Sequence, residues 1–185
     1  MAGVLLGACA LSPQEVTVKP LVDVQSQPIG RDRLLSLEVI DRRPRQTFGA
    51  RGGIYDTAVI APRGDVAQTV WQALAERLRA DQFKVIGAGE APLAMRVELL
   101  RIEYLVNSAP AVGGPLVNEI RVNCAIQASI RNAARAVSGQ YQANSARRQL
   151  GFPNAADNEA MLNEAIHHTL RQLLQDPAVL KLLAA

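Results

Sequence analysis

The thiol of Cys9 has the sequence context that lipid attachment requires. It follows Leu6, Gly7 and Ala8, one apolar and two small residues, and small residues before a cut site let the chain enter a signal peptidase. The thiol of Cys9 is the group to which a diacylglyceryl group can be attached. The segment before Cys9 is short and uncharged, whereas a signal peptide has a basic start and an apolar stretch of about 7–15 residues. The alternative is a first strand or a frayed terminus at residues 4–11, with an ordinary thiol.

With a lipidation site at Cys9, we expect the chain to consist of three parts. We expect residues 1–8 to be the remnant of a lipoprotein signal peptide and residues 9–15 to be a lipidated cysteine with a short spacer. Residues 16–185 are then a single periplasmic domain. The N-terminal stretch is much shorter than the roughly 20 apolar residues of a spanning helix, so it does not cross a bilayer.

A second group of chemically capable residues lies near the C-terminus. His167 and His168 are the two histidines of the chain, and Glu164 precedes His168 by one helical turn. A Glu-x-x-His fragment resembles half of a di-iron site, which needs a second copy and two further carboxylates. We therefore favour a surface or packing role over metal binding or proton transfer. Cys124 aligns with isoleucine and valine side chains, which predicts burial.

Four arginines are concentrated in residues 41–56, together with four residues that bend or loosen a chain. These residues are Arg42, Arg43, Arg45 and Arg51, with Pro44, Gly49, Gly52 and Gly53. Guanidinium groups bind carboxylates or phosphates through paired hydrogen bonds, so this stretch is a candidate interaction loop. The alternative is that the arginines pair with Asp41, Asp56 and nearby carbonyl groups and only order the loop.

Composition limits the remaining possibilities. A chain of 185 residues fits one domain, and 49% apolar with only 4% aromatic residues predicts a core of aliphatic side chains. A net charge of +3 is too weak to indicate a nucleic-acid partner. The Gly87-Ala-Gly89 stretch is followed by Pro92 and a strand pattern, which favours a turn over a dinucleotide site. We expect no catalytic residue, no cofactor and no metal.

Hydrophobic periodicity predicts the elements that position these residues. Alternation predicts strands at residues 16–22, 34–41, 54–61, 84–86, 93–106, 117–131 and 137–148, with a bulge near Leu99 and Leu100. An apolar stripe with Asp65 as N-cap predicts a helix at residues 65–82, and a second helix begins after Asn154 or Asp157 and ends near residue 175. A short helix starts at Pro177.

This order of elements predicts an α+β fold. The strand at 117–131 has one apolar and one polar face, as in an antiparallel sheet that is wet on one side. The expected architecture has two layers, a mostly antiparallel sheet with two main helices packed on one face.

Several of these features together resemble the YajG family of bacterial lipoproteins. They are the lipobox at Cys9, the Asp41-Arg-Arg-Pro turn, the Gly49-Ala-Arg-Gly-Gly53 loop, the capped helix at Asp65 and the closing helix. The resemblance covers nearly the whole chain and implies a membrane-anchored domain that faces the periplasm, without an assigned activity. Ala10 after the lipidated cysteine is not the aspartate that retains lipoproteins in the inner membrane, which favours the outer membrane.

Three functional hypotheses follow. The first is a non-enzymatic accessory lipoprotein of the envelope, held to the membrane at Cys9, that binds a protein partner through a sheet edge or the candidate interaction loop. The second is a binder of a small anionic envelope ligand, such as a muropeptide or a lipid fragment. The third, which the sequence disfavours, is a hydrolase or transferase that uses His167 or His168 with Glu164.

Overall fold

The structure is a computed structural model that describes residues 11–52, 57–110 and 116–185. The predictions for Cys9, Gly53, Asp56 and the start of the 54–61 strand lie outside these ranges. The elements are β1 (Gln14–Val16), β2 (Leu34–Asp41), β3 (Gly49–Ala50), β4 (Val59–Pro62), α1 (Val66–Ala80), β5 (Lys84–Ile86), β6 (Leu93–Pro110), β7 (Leu116–Asn132), β8 (Ala136–Leu150), α2 (Ala155–Gln175) and α3 (Pro177–Ala184).

All the described strands belong to one mixed sheet that is curled into a half-barrel. The long strands β6, β7 and β8 form an antiparallel meander. On its other side β6 pairs with two strands in succession. Its first half runs parallel to β2, and its second half meets β3 at Tyr104. β5 extends the sheet beyond β2, while β4 and then β1 extend it beyond β3.

The expectation of a mostly antiparallel sheet with two helices is wrong. Four strand pairs are parallel, β1 with β4, β2 with β5, β2 with β6 and β3 with β6. The alternation in β7 correctly indicated one wet face, but alternation carries no information about the direction of a neighbouring strand. A third helix, α3, also enters the core through Val179, Leu182 and Leu183.

The core lies between the helices and the apolar face of the sheet. Leu35 and Leu37 of β2 and the even-numbered side chains from Ile120 to Ile130 of β7 are buried in it. The predicted caps are confirmed, because the Asp65 carboxylate accepts from the backbone N–H of Gln68. Asn154, and not Asp157, caps α2. No helix in the three described ranges has the length and apolar character needed to span a membrane.

Residues 17–22, which follow β1, were predicted to be part of a strand but pair with no strand of the described sheet. The backbone N–H of Thr17 donates to Glu159 at 2.7 Å, and that of Lys19 donates to Asn163 at 2.6 Å. Glu159, Asn163 and His167 follow one another at four-residue spacing on α2. That spacing rises about 6 Å along a helix, close to the roughly 6.6 Å that two extended residues span. The alternating burial therefore reflects an extended strap held by helix side chains instead of a strand.

Candidate functional site

The candidate interaction loop fills a gap in the sheet. β2 leaves β6 after the Asp41–Leu99 pair, and β3 joins β6 at Tyr104. The intervening loop stays close to β6, because the Arg42 N–H donates to the Leu99 carbonyl at 2.9 Å. At its far end the Tyr104 N–H donates to the Phe48 carbonyl at 2.7 Å. The register shift between Leu99 and Arg101 confirms the predicted bulge, which lies at this gap.

The Arg43 side chain is buried at this gap, where it binds Asp41 at the end of β2. Its Nε lies 2.9 Å from one oxygen of Asp41, and its Nη2 lies 2.7 Å from the other. The guanidinium also lies over the Phe48 ring, 5.1 Å from its centre. Only 2% of the Arg43 side chain is exposed, and its Nη1 has no hydrogen-bond partner among the described residues. Arg43 therefore orders the loop from within.

The other arginines of the loop divide into buried and exposed members. Arg51 is buried and donates to the carbonyls of Ser12 at 3.0 Å and Pro153 at 3.1 Å. Arg42 and Arg45 are exposed. The structure therefore leaves two of the four predicted residues, Arg42 and Arg45, on the surface where a partner can reach them.

An open groove of about 730 Å³ adjoins this loop. Its lining includes Arg45, Thr47, Phe48, Val59, Arg101 and Leu105. Two arginines, one nearby carboxylate from Glu103 and several apolar side chains give it mixed character. Arg43 also borders the groove, but its charge is already neutralised by Asp41. The groove thus has less free positive charge than the sequence suggests.

The Asp41–Arg43 pair predicts an acid-sensitive stability. Burial acts to raise the pKa of Asp41, but hydrogen bonds and the charge of Arg43 outweigh it and lower that pKa below 3.8. A carboxyl with a lowered folded pKa stabilises the fold above its unfolded pKa and loses that contribution as pH falls through the folded pKa. We expect the free energy of unfolding to decline below about pH 3.8.

The measurement is urea unfolding between pH 2 and 6. The matched control is Asp41→Asn, which should be less stable than the wild type at pH 6, should lack this component of the acid-induced loss, and should therefore approach the wild type in stability at the acid end of the range. An unchanged pH dependence in Asp41→Asn would contradict the assignment.

The longest open edge in the described part of the chain belongs to β8. This strand is 15 residues long, and among the strands that the structure describes it pairs with β7 alone, along an unbroken register from Ala136 to Leu150. The inner face of β8 is fixed to the helices. Tyr141 donates to Asp176 at 2.7 Å, and Ser145 donates to Glu164 at 2.6 Å. These contacts hold β8 against the helices, and in the described part of the chain no strand pairs with its outer backbone edge.

The β8 edge has few of the features that prevent strand addition. Natural edge strands are usually blocked by charged side chains, prolines, bulges or short length. Residues 136–146 contain no charge and no proline, and the pairing with β7 shows no bulge. The exposed side chains along it are the small or amide residues Ser138, Gln140, Gln142 and Asn144. Charge appears only at Arg147 and Arg148.

Glu164, His167 and His168, the residues of the third hypothesis, make contacts within the fold. His168 Nε2 lies 3.8 Å from Glu164, which confirms the predicted contact across one turn. Glu164 also accepts from Ser145, and His167 binds the carbonyl of Leu21 in the strap. Within the described ranges no group of three or more His, Cys, Asp or Glu side chains is placed to hold a metal.

Cys124 is buried, as its position in the alternating strand predicted. Burial raises the pKa of its thiol to about 11, which keeps it protonated at neutral pH. A protonated, inaccessible thiol is a poor nucleophile, so Cys124 belongs to the core.

Sequence reasoning did not single out the β8 edge. The strand itself was predicted at residues 137–148, but an edge is defined by the absence of a neighbour, which only the assembled sheet reveals. The uncharged, proline-free composition of residues 136–146 was the available signal.

Comparisons with known proteins give a family and a fold. The profile of a family described as an uncharacterised lipoprotein matches residues 20–184. A Xanthomonas campestris protein of known crystal structure is 11% identical, covers 92% of this chain and 95% of its own, and has a TM-score of 0.59, which shows a similar fold.

Two further solved structures are lipoproteins. The rare lipoprotein B from Shewanella oneidensis is 13% identical over 80% of this chain and 96% of its own, with a TM-score of 0.45. A minor lipoprotein from Acinetobacter baumannii is 13% identical over 80% of this chain and 94% of its own, with a TM-score of 0.40. No curated protein sequence matches the chain.

Proposed function

The chain belongs to a family of uncharacterised bacterial lipoproteins, and from this membership we propose that it is an envelope accessory protein that binds a partner by strand addition at β8. Lipoprotein membership implies attachment to a membrane of the cell envelope. We assign the attachment to Cys9 and place the domain in the periplasm, on the outer membrane. The role is non-enzymatic in this proposal.

The observation that carries the proposal is the free β8 edge. An extended segment of another protein can continue the sheet there, with its main-chain groups hydrogen-bonded to the outer edge of β8. The amide side chains of Gln140, Gln142 and Asn144 add hydrogen-bonding capacity beside that edge. We favour this edge over the candidate interaction loop because Arg43 and Arg51 are committed to internal contacts.

The test is site-specific photocrosslinking in the intact envelope. A photoreactive residue at Gln142 should yield an adduct with one recurring protein partner. The same residue at Arg101, two strands further in at the same level of the sheet, should yield none. Lysines on an edge strand obstruct pairing, so Gln140→Lys with Gln142→Lys should abolish partner binding. Because position 142 is then occupied by lysine, binding in this variant is measured with the photoreactive residue at position 144.

The matched control places the same charges one strand away from the edge. Gln127→Lys with Ser129→Lys lies on exposed positions of β7 and should leave the Asn144 adduct unchanged. Equal loss in both double variants would contradict an edge-specific interaction. An adduct from position 101, which lines the groove, in place of one from position 142 would move the interface to the groove. An adduct with a second copy of this chain would replace the envelope partner with self-association.

A further inference from the structure

The fold fixes the chain very soon after the proposed lipid attachment site. Arg51 donates to the carbonyl of Ser12 at 3.0 Å, and β1 begins at Gln14. Ser12 is three residues after Cys9. Three fully extended residues span at most about 11 Å. A lipid at Cys9 therefore has to hold the Ser12 end of the domain against the bilayer surface.

The same end of the domain includes the end of β8. The Arg51 guanidinium that contacts Ser12 also donates to the carbonyl of Pro153. Asn118, near the start of β7, donates to the carbonyl of Gly151 at 2.6 Å. Leu150 precedes Gly151, and 67% of its surface is exposed. A large apolar side chain is thus exposed at the end that the anchor brings to the membrane.

Three arginines lie toward this end of β7 and β8, with Arg121 and Arg148 on the sheet face that carries Leu150 and Arg147 on the other face. Arg121 and Arg148 both approach the single carboxylate of Glu119, each at 3.4 Å. Arg147 lies 3.9 Å from Asp157, and these side chains are substantially exposed. Three arginines therefore pair with two carboxylates, which leaves a surplus of positive charge at the end of the sheet where Leu150 is exposed.

We propose that this end of the domain, formed by Leu150 with Arg121, Arg147 and Arg148, is a membrane-contact face that binds an anionic bilayer. Leu150 enters the interface between headgroups and acyl chains, and the arginines bind lipid phosphates. The inference rests on the proposed anchor at Cys9, which supplies the tether but does not by itself determine which side chains enter the lipid.

The test uses the full-length lipidated chain in vesicles of phosphatidylethanolamine and phosphatidylglycerol. An environment-sensitive fluorophore is attached to Leu150→Cys or, as the control, to Ile86→Cys on β5. Ile86 is also exposed and lies at the opposite end of the sheet. It pairs with Ser36 of β2, which in turn pairs with Ala94 near the start of β6. The buried Cys124 does not compete for the label.

Lipids with quenchers on their acyl chains should quench the label at position 150 severalfold more than the label at position 86. Arg147→Gln with Arg148→Gln, or raised salt, should reduce that quenching, because exposed charges are screened. Flotation of the wild type beside Cys9→Ser reports the anchor separately.

Equal, weak quenching at both positions in chains that float with the vesicles would overturn the membrane-contact face and leave the anchor intact. If the label at position 150 is quenched as strongly in purely zwitterionic phosphatidylcholine vesicles as in the vesicles that contain phosphatidylglycerol, the anionic preference is overturned. If the wild type does not float, the anchor fails, and the membrane-contact face fails with it.

Discussion

Replacing Gly49 with alanine is expected to destabilise the fold by about 3 kcal/mol, the upper part of the usual range for overpacking. A Cβ at this position would lie 2.2 Å from the carbonyl oxygen of Tyr104 and 3.1 Å from its carbonyl carbon. Both atoms are backbone, and the adjoining Tyr104 N–H is held by the Phe48 carbonyl at 2.7 Å. Neither strand can yield without breaking the junction of β3 and β6.

Gly87→Ala is the matched control, because no atom lies within 4 Å of its added Cβ and its backbone has no left-handed conformation. Alanine there should leave stability unchanged or raise it slightly by reducing the freedom of the unfolded chain. Urea unfolding of the two variants beside the wild type gives the comparison. Equal stability of Gly49→Ala and Gly87→Ala would show that β3 and β6 are not locked together at Gly49.

Gly49 illustrates what local sequence could and could not indicate. The glycines near the arginines suggested a flexible loop, whereas Gly49 is needed for close approach of two strands. A close approach depends on Tyr104, which is 55 positions away in the sequence. Local patterns succeeded where the cause was local, as at the Asp65 cap of α1 and the bulge near Leu99.

Strand direction and strand order were not encoded locally. The alternating side chains of β2 predicted a half-buried strand, and β2 is one, but nothing in residues 34–41 specifies that both of its neighbours run parallel to it. The prediction of a strand at residues 16–22 failed for a related reason. The alternating burial of this segment is real, but its hydrogen-bond partners are Glu159 and Asn163 on a helix more than 140 positions away.

The four arginines of the candidate interaction loop were predicted to act together, but the fold buries Arg43 and Arg51 and exposes Arg42 and Arg45. A pattern of charges does not reveal which of them the fold encloses. Asp41 lies two residues before Arg43, so their pairing was a foreseeable alternative. The burial of Arg51 was not, since its acceptors at Ser12 and Pro153 are distant in sequence.

The two proposals are geometrically compatible. Leu150 at the end of β8 belongs to the proposed membrane-contact face, and Ala136 begins the strand at its other end. At about 3.3 Å per residue, a 15-residue strand extends roughly 50 Å. A partner strand could therefore pair with residues 136–146 beyond the end that contacts the bilayer.

Asp41→Leu is expected to destabilise the protein by about 3 kcal/mol, because it leaves a buried guanidinium without its counterion. The Arg43 side chain is 2% exposed and the Asp41 side chain 20% exposed, so Asp41 can be solvated after the opposite deletion and Arg43 cannot. Arg43→Met should therefore cost less, about 1 kcal/mol. The variant loses the contact between the guanidinium and the Phe48 ring, but the methionine side chain fills much of the vacated volume.

The double replacement Asp41→Leu with Arg43→Met decides what the pair contributes. Apolar residues of similar volume often match or exceed a buried ion pair in stability, so the double variant should be more stable than Asp41→Leu alone by roughly 2 kcal/mol. Urea unfolding at neutral pH of all four proteins completes the cycle. If the two losses simply add, Arg43 and Asp41 act independently, and Arg43 would be free to serve the groove. Strong coupling would instead assign it to ordering the loop, with Arg42 and Arg45 as the exposed arginines of that surface.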